Sequence, residues 1–93
     1  MYRTAISCFA VALLASPLAA ADRDPTPAER TAIEKVLRDN GFVSWEDIEL
    51  DDDRPLRKPY WDVDDARDRA GRAFDLKIEP GTYKILRRTP DHD

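Results

Sequence analysis

The spacing of apolar residues changes once along this chain, at Asn40-Gly41, from a helical repeat to alternation. Before that point Ile33, Val36 and Leu37 recur at the three- and four-residue spacing of one helix face. Thr26-Pro27-Ala28-Glu29 precedes them as a capping box, in which each end residue's side chain bonds the other's amide. The pattern predicts a helix with Pro27 as its first residue, closed by Asn40-Gly41.

After Gly41 the alternation predicts strands, because residues two apart lie on the same face of a strand. Four segments alternate in this way, and short connections make neighbouring strands antiparallel. The sequence therefore predicts an α+β fold, with one N-terminal helix packed on an antiparallel sheet of three to four strands. The predicted inward residues, in chain order, are Ile48, Leu50, Trp61, Val63, Phe74, Leu76, Ile78, Tyr83 and Ile85. The strand that contains Trp61 and Val63 is predicted over Tyr60–Asp65. Turns are predicted at Arg67–Gly71 and Glu79–Thr82.

The first 21 residues differ from the rest. Arg3 precedes an almost wholly apolar run from Ala5 to Leu14, and Pro17 and Ala19-Ala20-Ala21 follow it. This is typical of a secretory signal peptide, and the run is shorter than the roughly 20 residues that span a membrane. We expect cleavage after Ala21, which leaves residues 22–93 as one domain with an ordered core at about 27–88. The alternative is an uncleaved N-terminal anchor.

Charge and location limit the partners. The chain has a formal net charge of −4, and cleavage would also remove Arg3. A negative protein is poorly suited to nucleic acid or to anionic membranes, both of which favour a positive surface. No second apolar run follows the first, so we predict no membrane span after cleavage. The expected location is the periplasm or the medium outside the cell.

Groups that could carry catalysis are few. The single cysteine, Cys8, lies in the predicted signal peptide, and the single histidine, His92, is next to the C-terminus. Ser44 has no base that we can assign to it, and the glycines stand singly at turns, which is unlike a phosphate-binding loop. A glycosidase-type pair of carboxylates would need a cleft that so short a chain has little room to build. We predict no enzyme, no catalytic residue and no cofactor.

The aspartates are the remaining candidates for chemistry. A helix-loop-helix calcium site needs acids at positions 1, 3 and 5 and a glycine at position 6, and neither Asp62 nor Asp64 starts such a pattern. We therefore predict no metal ligands. Asp62 and Asp64 would share one face of a strand, so a weak cation site remains an alternative to surface acids. The acidic turn Asp51–Asp53 has the same two interpretations.

Aromatic and basic residues favour a protein contact. Tyr60 should point outward, beside Arg57 and Lys58, and Trp45 lies in the loop after the helix. Because Trp, Tyr and Arg are enriched at binding hot spots, these four residues are the predicted partner-binding residues. The alternative is that Trp45 and Tyr60 seal the rim of a small core. A second candidate is the basic segment with Lys84, Arg87 and Arg88, whose alternative is a solvated edge strand.

Several motifs occur together in a characteristic order. They are Gly41-Phe42-Val43, Ile48-Glu49-Leu50-Asp51, Tyr60-Trp61-Asp62-Val63, Asp68-Arg69-Ala70-Gly71-Arg72, Phe74-Asp75-Leu76-Lys77-Ile78-Glu79-Pro80 and Ile85-Leu86.

This order resembles the PepSY domain, a module of bacterial peptidase propeptides, over about Ala28 to Arg88. The resemblance implies an α+β fold, a periplasmic or extracellular site, no enzymatic activity, and protein binding that often restrains a peptidase. One departure is the last turn: the family usually has an acid, two residues and Thr-Gly, whereas this chain has Glu79-Pro80-Gly81-Thr82. That leaves the register of the last strand open.

Three functional hypotheses follow. The first is a non-catalytic protein-binding or regulatory domain, with a peptidase or an envelope protein as partner. The second is a periplasmic module that binds a small ligand or cation through its surface carboxylates. The third is a structural protein that acts through its own assembly.

Overall fold

The computed structural model describes residues 22–91, which form one helix and a five-stranded antiparallel sheet. The predicted α+β class is confirmed. The sheet also contains a three-residue strand that the sequence did not reveal, because three residues are too few to show alternation. The elements are α1 (Pro27–Asp39), β1 (Phe42–Ser44), β2 (Asp47–Asp51), β3 (Tyr60–Asp68), β4 (Ala73–Ile78) and β5 (Ile85–Pro90).

Strand β3 organises the sheet. Strands β1 and β2 both pair with one edge of β3: β2 runs from Asp47 opposite Asp64 to Asp51 opposite Tyr60, and β1 places Phe42 opposite Asp68. Strand β4 pairs with the other edge of β3, and β5 pairs with β4. Strand β5 is therefore the outermost strand on its side of the sheet.

Helix α1 begins and ends as its sequence predicts. The Glu29 amide donates to the Thr26 hydroxyl over 3.2 Å, and the Thr26 amide donates to the Glu29 carboxylate over 2.9 Å. Gly41 follows the helix with φ of 90°, a conformation that costs an L-residue roughly 1–2 kcal/mol. Ile33 and Leu37 are buried, whereas Val36, predicted on the same stripe, is only half-buried.

The core lies between α1 and one face of the sheet. Trp61 is its largest buried side chain, and Phe74, Trp45, Tyr83 and Ile85 pack around it while partly exposed. The buried apolar residues are Ile33, Leu37, Phe42, Ile48, Leu50, Trp61, Val63, Ala66, Leu76 and Ile78.

A β-bulge in β3 changes which residues point inward. Val63 pairs with Leu76, but the next inward pair is Ala66 with Phe74, so β3 has one residue more than β4 between them. Asp65 takes the extra position with φ of 54°. Ala66 is consequently buried.

The predicted turn at Arg67–Gly71 is therefore too long, because β3 continues to Asp68. The Asp68 carboxylate then accepts hydrogen bonds from the Ala70 and Arg72 amides, at 2.9 and 3.0 Å, and closes a shorter turn. Tyr83 was expected to open the last strand. It instead precedes β5 with φ of 59°.

Contacts extend beyond the expected core at 27–88. Arg23 exchanges two backbone hydrogen bonds with Leu50, at 3.2 and 2.8 Å, and its guanidinium lies 5.4 Å from the Trp61 ring centroid. At the other end β5 reaches Pro90, and the Asp91 amide donates to the Ala73 carbonyl over 2.9 Å. These segments, expected to be tails, cover the core and lengthen the sheet.

Candidate functional site

The loop between β2 and β3, residues 52–59, exposes an apolar side chain at its centre. Leu56 is 89 % exposed, the largest value among the large hydrophobic residues of the described chain. Its amide donates to the Asp53 carbonyl over 2.8 Å, and Arg57 forms an ion pair with the Asp53 carboxylate at 2.6 Å. Leu56 is thus held out in solvent by a local turn.

The base of this loop is fixed by a buried carboxylate. Asp52 accepts hydrogen bonds from the amide and Nε of Arg54, at 3.1 and 2.9 Å, and Arg54 also forms an ion pair with it. The guanidinium lowers the pKa of Asp52, which keeps this buried group ionised. The loop therefore has an ordered base and an exposed centre.

Tyr60 lies on the sheet face opposite the helix, and it is half-buried. Its hydroxyl donates to Asp51 over 2.7 Å, and the Lys77 ammonium lies 4.4 Å from its ring centroid. The hydrogen bond to Asp51, with burial, raises the pKa of Tyr60 to about 12. One ring face is thus covered by Lys77, and the hydroxyl already has an acceptor.

The structure does not bring Trp45 to the other three predicted residues. Trp45 lies between β1 and β2, packs against the core on the helix side, and has the Arg38 guanidinium 5.5 Å from its ring. Trp45 lies six positions before Asp51, the partner of Tyr60 across the strands, and six positions span about 20 Å along an extended edge. Arg57, Lys58 and Tyr60 lie close together at the start of β3. Lys58 borders a shallow 240 Å³ cleft with Pro59, Glu79, Pro80 and Leu86.

The sheet face opposite the helix is strongly acidic. Asp47 lies opposite Asp64, and Glu49 lies opposite Asp62, so like charges face each other between β2 and β3. Burial raises the pKa of Asp62 to about 6, and the nearby Asp64 adds to the shift. Burial also raises the pKa values of Asp64 and Glu49. The acidic residues are evident in the sequence, but their positions opposite one another depend on the register of β2 against β3.

The carboxylates of the acidic turn are used separately. Asp51 accepts from Tyr60, Asp52 from Arg54, and Asp53 pairs with Arg57. Within residues 22–91, no three His, Cys, Asp or Glu side chains are grouped so that they could hold a metal ion. His92, next to the C-terminus, lies outside the described residues, as does the predicted signal peptide.

A second basic surface lies along β5. The Arg88 guanidinium lies 5.0 Å from the Phe42 ring centroid and 5.4 Å from that of Phe74, and these two rings pack edge to face at 6.0 Å. A 500 Å³ cleft opens beside them, bordered by the end of α1 and the β3–β4 turn. We call this space the β5 cleft. Its lining residues are Asn40, Gly41, Phe42, Asp68, Arg69, Ala70, Arg72, Phe74 and Arg88.

The described residues thus form a small α+β domain whose distinctive features are an ordered loop, a charged sheet face and an outer strand beside a cleft. The family of peptidase propeptide and YPEB domains, PepSY, matches residues 4–89, and the chain belongs to this family. This confirms the resemblance carried by the sequence motifs. No curated protein and no solved structure matches the chain significantly.

Membership indicates a regulatory module of the propeptide or peptidase-inhibitor kind, and a peptidase-related protein as the kind of partner. Domains of this family are generally non-catalytic and typically occur in exported proteins. In the part of the chain that the structure describes, α1 is too short and too polar to cross a membrane.

Proposed function

We propose that this protein is an exported, non-catalytic module that binds a partner protein and restrains it, the partner being a peptidase or another envelope protein. Family membership over residues 4–89 supports the regulatory role. The export step is supported by the apolar run Ala5–Leu14 and the small residues before Asp22. Fractionation of expressing cells, with N-terminal sequencing, should find the protein outside the cytoplasm and beginning at Asp22. A chain that retains Met1 would contradict cleavage.

The main support for the binding surface is that Leu56 is almost fully exposed in a loop whose backbone is held by two hydrogen bonds. The Arg54 amide donates to the Asp52 carboxylate, and the Leu56 amide donates to the Asp53 carbonyl. Exposing a large apolar side chain gains nothing for the isolated domain, whereas burying one against a partner contributes roughly 1.5–3 kcal/mol. A loop already ordered by its own ion pairs also loses less conformational entropy when it binds. We propose Leu56 as the anchor of the contact.

The other contacts of the proposed surface follow from position. Arg57 and Lys58 are exposed beside Leu56, but Arg57 is paired with Asp53, so Lys58 provides the positive charge at the rim that is unpaired within residues 22–91. Tyr60 follows at the start of β3. The favoured partner surface is therefore an apolar pocket with carboxylates around it. Trp45 lies about 20 Å away on the other side of the sheet, so we assign it to the rim of the core.

The test pairs capture with inhibition. The protein purified from cells expressing the full-length chain is immobilised, and envelope extract from its own source is passed over it. Two exposed apolar residues are compared, Leu56→Asp in the loop and Val43→Asp in β1, which is 55 % exposed at the other end of the sheet. We expect wild type and Val43→Asp to capture one dominant protein, and Leu56→Asp to lose it.

The captured protein should be a peptidase or another envelope protein, and where it is a peptidase its activity should fall when the wild-type protein is added. Leu56→Asp should be a much weaker inhibitor than Val43→Asp. Equal capture by both variants would contradict the proposed surface. Capture of no protein by a folded sample would contradict the function.

A further inference from the structure

We infer that the outer edge of β5, together with the β5 cleft, binds an extended acidic segment of another protein as an additional strand of the sheet. Its centre, Arg88 with the β5 cleft, includes no residue of the β2–β3 loop, although Leu86 of β5 also borders the small cleft beside Lys58. Its test does not require the loop to bind anything. Three observations carry it: the position of β5, the composition of the cleft, and the charge along the edge.

Strand β5 ends the sheet, so one side of its backbone has no neighbouring strand among the described residues. The Asp91 amide bonds the Ala73 carbonyl, and Thr89 and Arg87 pair with Asp75 and Lys77. Along an antiparallel strand, successive residues point their backbone N–H and C=O groups to opposite sides. These odd-numbered residues therefore direct their amides and carbonyls to β4. Arg88 directs its own amide and carbonyl outward, where an added strand would meet them.

The other side of the sheet differs. The outer edge of β2 is already covered at Leu50, which exchanges two backbone hydrogen bonds with Arg23. The chain therefore covers part of one edge itself and leaves the backbone of Arg88 open at the other. Strand addition to an open edge gains affinity from main-chain hydrogen bonds and specificity from adjoining pockets.

The cleft supplies such pockets. Phe42 and Phe74 contribute an apolar wall of the 500 Å³ space, and the guanidinium of Arg88 lies over both rings. A second space of 250 Å³, bordered by Ile85, Leu86 and Arg87, continues along the same strand. Apolar and cationic contacts thus accompany the open backbone of β5.

The charges identify the occupant. Arg72 is paired with Asp68 at 2.8 Å, but Arg69, Lys84, Arg87 and Arg88 form no ion pair within residues 22–91. Arg87 and Arg88 in β5, Lys84 just before it and Arg69 in the β3–β4 turn thus favour an acidic segment, although the chain as a whole is negative.

A second copy of the chain fits this edge poorly. Two β5 strands side by side would bring the arginines of one copy against those of the other, and like charges facing across strands are destabilising. Arginines on an edge strand also discourage non-specific pairing. The arginines disfavour pairing with a neutral or basic strand, but they do not disfavour pairing with an acidic one. The occupant is therefore an acidic segment of a different protein.

The probe is an acetylated and amidated ten-residue peptide that alternates valine and glutamate. It is titrated into the isotope-labelled protein, purified from cells that express the full-length chain, while amide NMR signals are followed. We expect shifts at the Leu86 and Arg88 amides and at the cleft residues, with slower hydrogen exchange at Arg88. No change at β5 with peptide in large excess would overturn the inference.

Two further peptides separate strand addition from simple attraction. One replaces glutamate with lysine, and we expect it not to bind. The other keeps every glutamate but has prolines at alternate valine positions, so it cannot form a regular strand. If the proline peptide bound as tightly as the first, charge alone would explain the binding and strand addition would be wrong.

Variants locate the site. Arg88→Glu should weaken the valine–glutamate peptide by about tenfold or more, because a charge-assisted contact is lost and a repulsive one is introduced. Arg87→Glu should act in the same direction and does not disturb the packing on Phe42 and Phe74. Lys35→Glu, with the same charge change on the exposed face of α1, should bind as wild type does. Equal loss in Lys35→Glu would indicate an effect of net charge and contradict the site.

Leu56→Asp separates this site from the proposed function. It should lose partner capture and still bind the peptide, which would place two independent surfaces on the domain. A peptide that failed to bind only in Leu56→Asp would contradict the assignment to β5. If no partner were captured at all, the peptide titration would still decide whether the edge accepts a strand.

Discussion

Glu49 and Asp62 lie directly opposite each other across β2 and β3, with Asp47 opposite Asp64 two pairs further along on the same face. Partial burial disfavours the charged form of Asp62 most strongly, and repulsion from nearby carboxylates adds to that cost. The surrounding groups are Asp51, Asp64 and Asp75, which raise its pKa, and Lys77, which lowers it. The net result is a pKa of about 6 in the folded protein, above the usual 3.8.

The sign of the pH effect follows. A carboxyl group whose pKa is higher in the folded state binds its proton more tightly there, so folding is favoured when the group is protonated. We therefore expect the free energy of unfolding to increase as the pH falls from 8 towards 4. Chemical denaturation at a series of pH values measures this.

Asp62→Asn should remove much of that dependence and stabilise the protein at pH 8 by on the order of 1 kcal/mol, because solvent screens part of the shift at this half-buried position. The control is Asp39→Asn, which removes a negative charge from the exposed end of α1. It should retain the increase in the free energy of unfolding as the pH falls through 6, because Asp62 is intact. If Asp39→Asn changed the pH dependence of the free energy of unfolding as much as Asp62→Asn did, Asp62 would not be the source of that dependence.

Glu29 should change the stability in the opposite direction as the pH falls, and over a lower pH range than Asp62. Its bonds to Arg23 and to the Thr26 amide lower its pKa to about 2, below the usual 4.5. Since the folded state favours the ionised form, this stabilisation is present above pH 4.5 and is lost as the pH falls towards 2. Glu29→Gln can still accept from the Thr26 amide, but it loses the ion pair.

At pH 6 this substitution should therefore cost only about 0.5 kcal/mol, as expected for an exposed pair. Thr26→Ala, which removes the hydroxyl acceptor of the capping box, should cost about 1 kcal/mol at every pH. Thermal unfolding of both variants at pH 6 and pH 3 measures the difference. A wild-type and a Glu29→Gln protein that lost stability in parallel below pH 4.5 would show that Glu29 is not responsible.

The helix could be predicted from local chemistry because every signal for it lies within a few residues. The capping box at Thr26 and the glycine at position 41 need no distant contact to act. The bulge at Asp65 could not be predicted in this way. It depends on the register of β3 against β4, and no turn residue in the sequence marks it.

The same distinction applies to the candidate surfaces. Arg57, Lys58 and Tyr60 are neighbours in sequence and remain neighbours in the fold, whereas Trp45 was added only because it is a large aromatic residue. The acidic face and the β5 cleft require knowledge of which strands pair. An isolated leucine in a polar loop has no periodic pattern, so the sequence does not indicate a role for Leu56, and its exposure is evident only from the structure.

The bulge itself gives a packing prediction. It turns Ala66 into the core, where it is fully buried, and leaves Arg67 exposed. Ala66→Leu should overpack this position and destabilise the protein by about 1–3 kcal/mol. Arg67→Leu places the same side chain on the surface and should lose the exposed ion pair with Asp65 and the hydrogen bond to the Gly71 carbonyl, together worth about 1 kcal/mol or less. Urea unfolding compares them, and the reverse order of cost would mean that β3 runs without a bulge.

Tyr60 gives a prediction that can be observed without unfolding the chain. Its hydroxyl donates to Asp51, so ionisation would replace a donor with a negative charge beside a carboxylate, and the pKa is raised to about 12. A spectrophotometric titration of tyrosinate should show one late component that is absent from Tyr60→Phe. In Asp51→Asn the same component should move to lower pH, because the neighbouring charge is gone. An unchanged midpoint in Asp51→Asn would mean that burial, and not the hydrogen bond to Asp51, holds the proton on Tyr60.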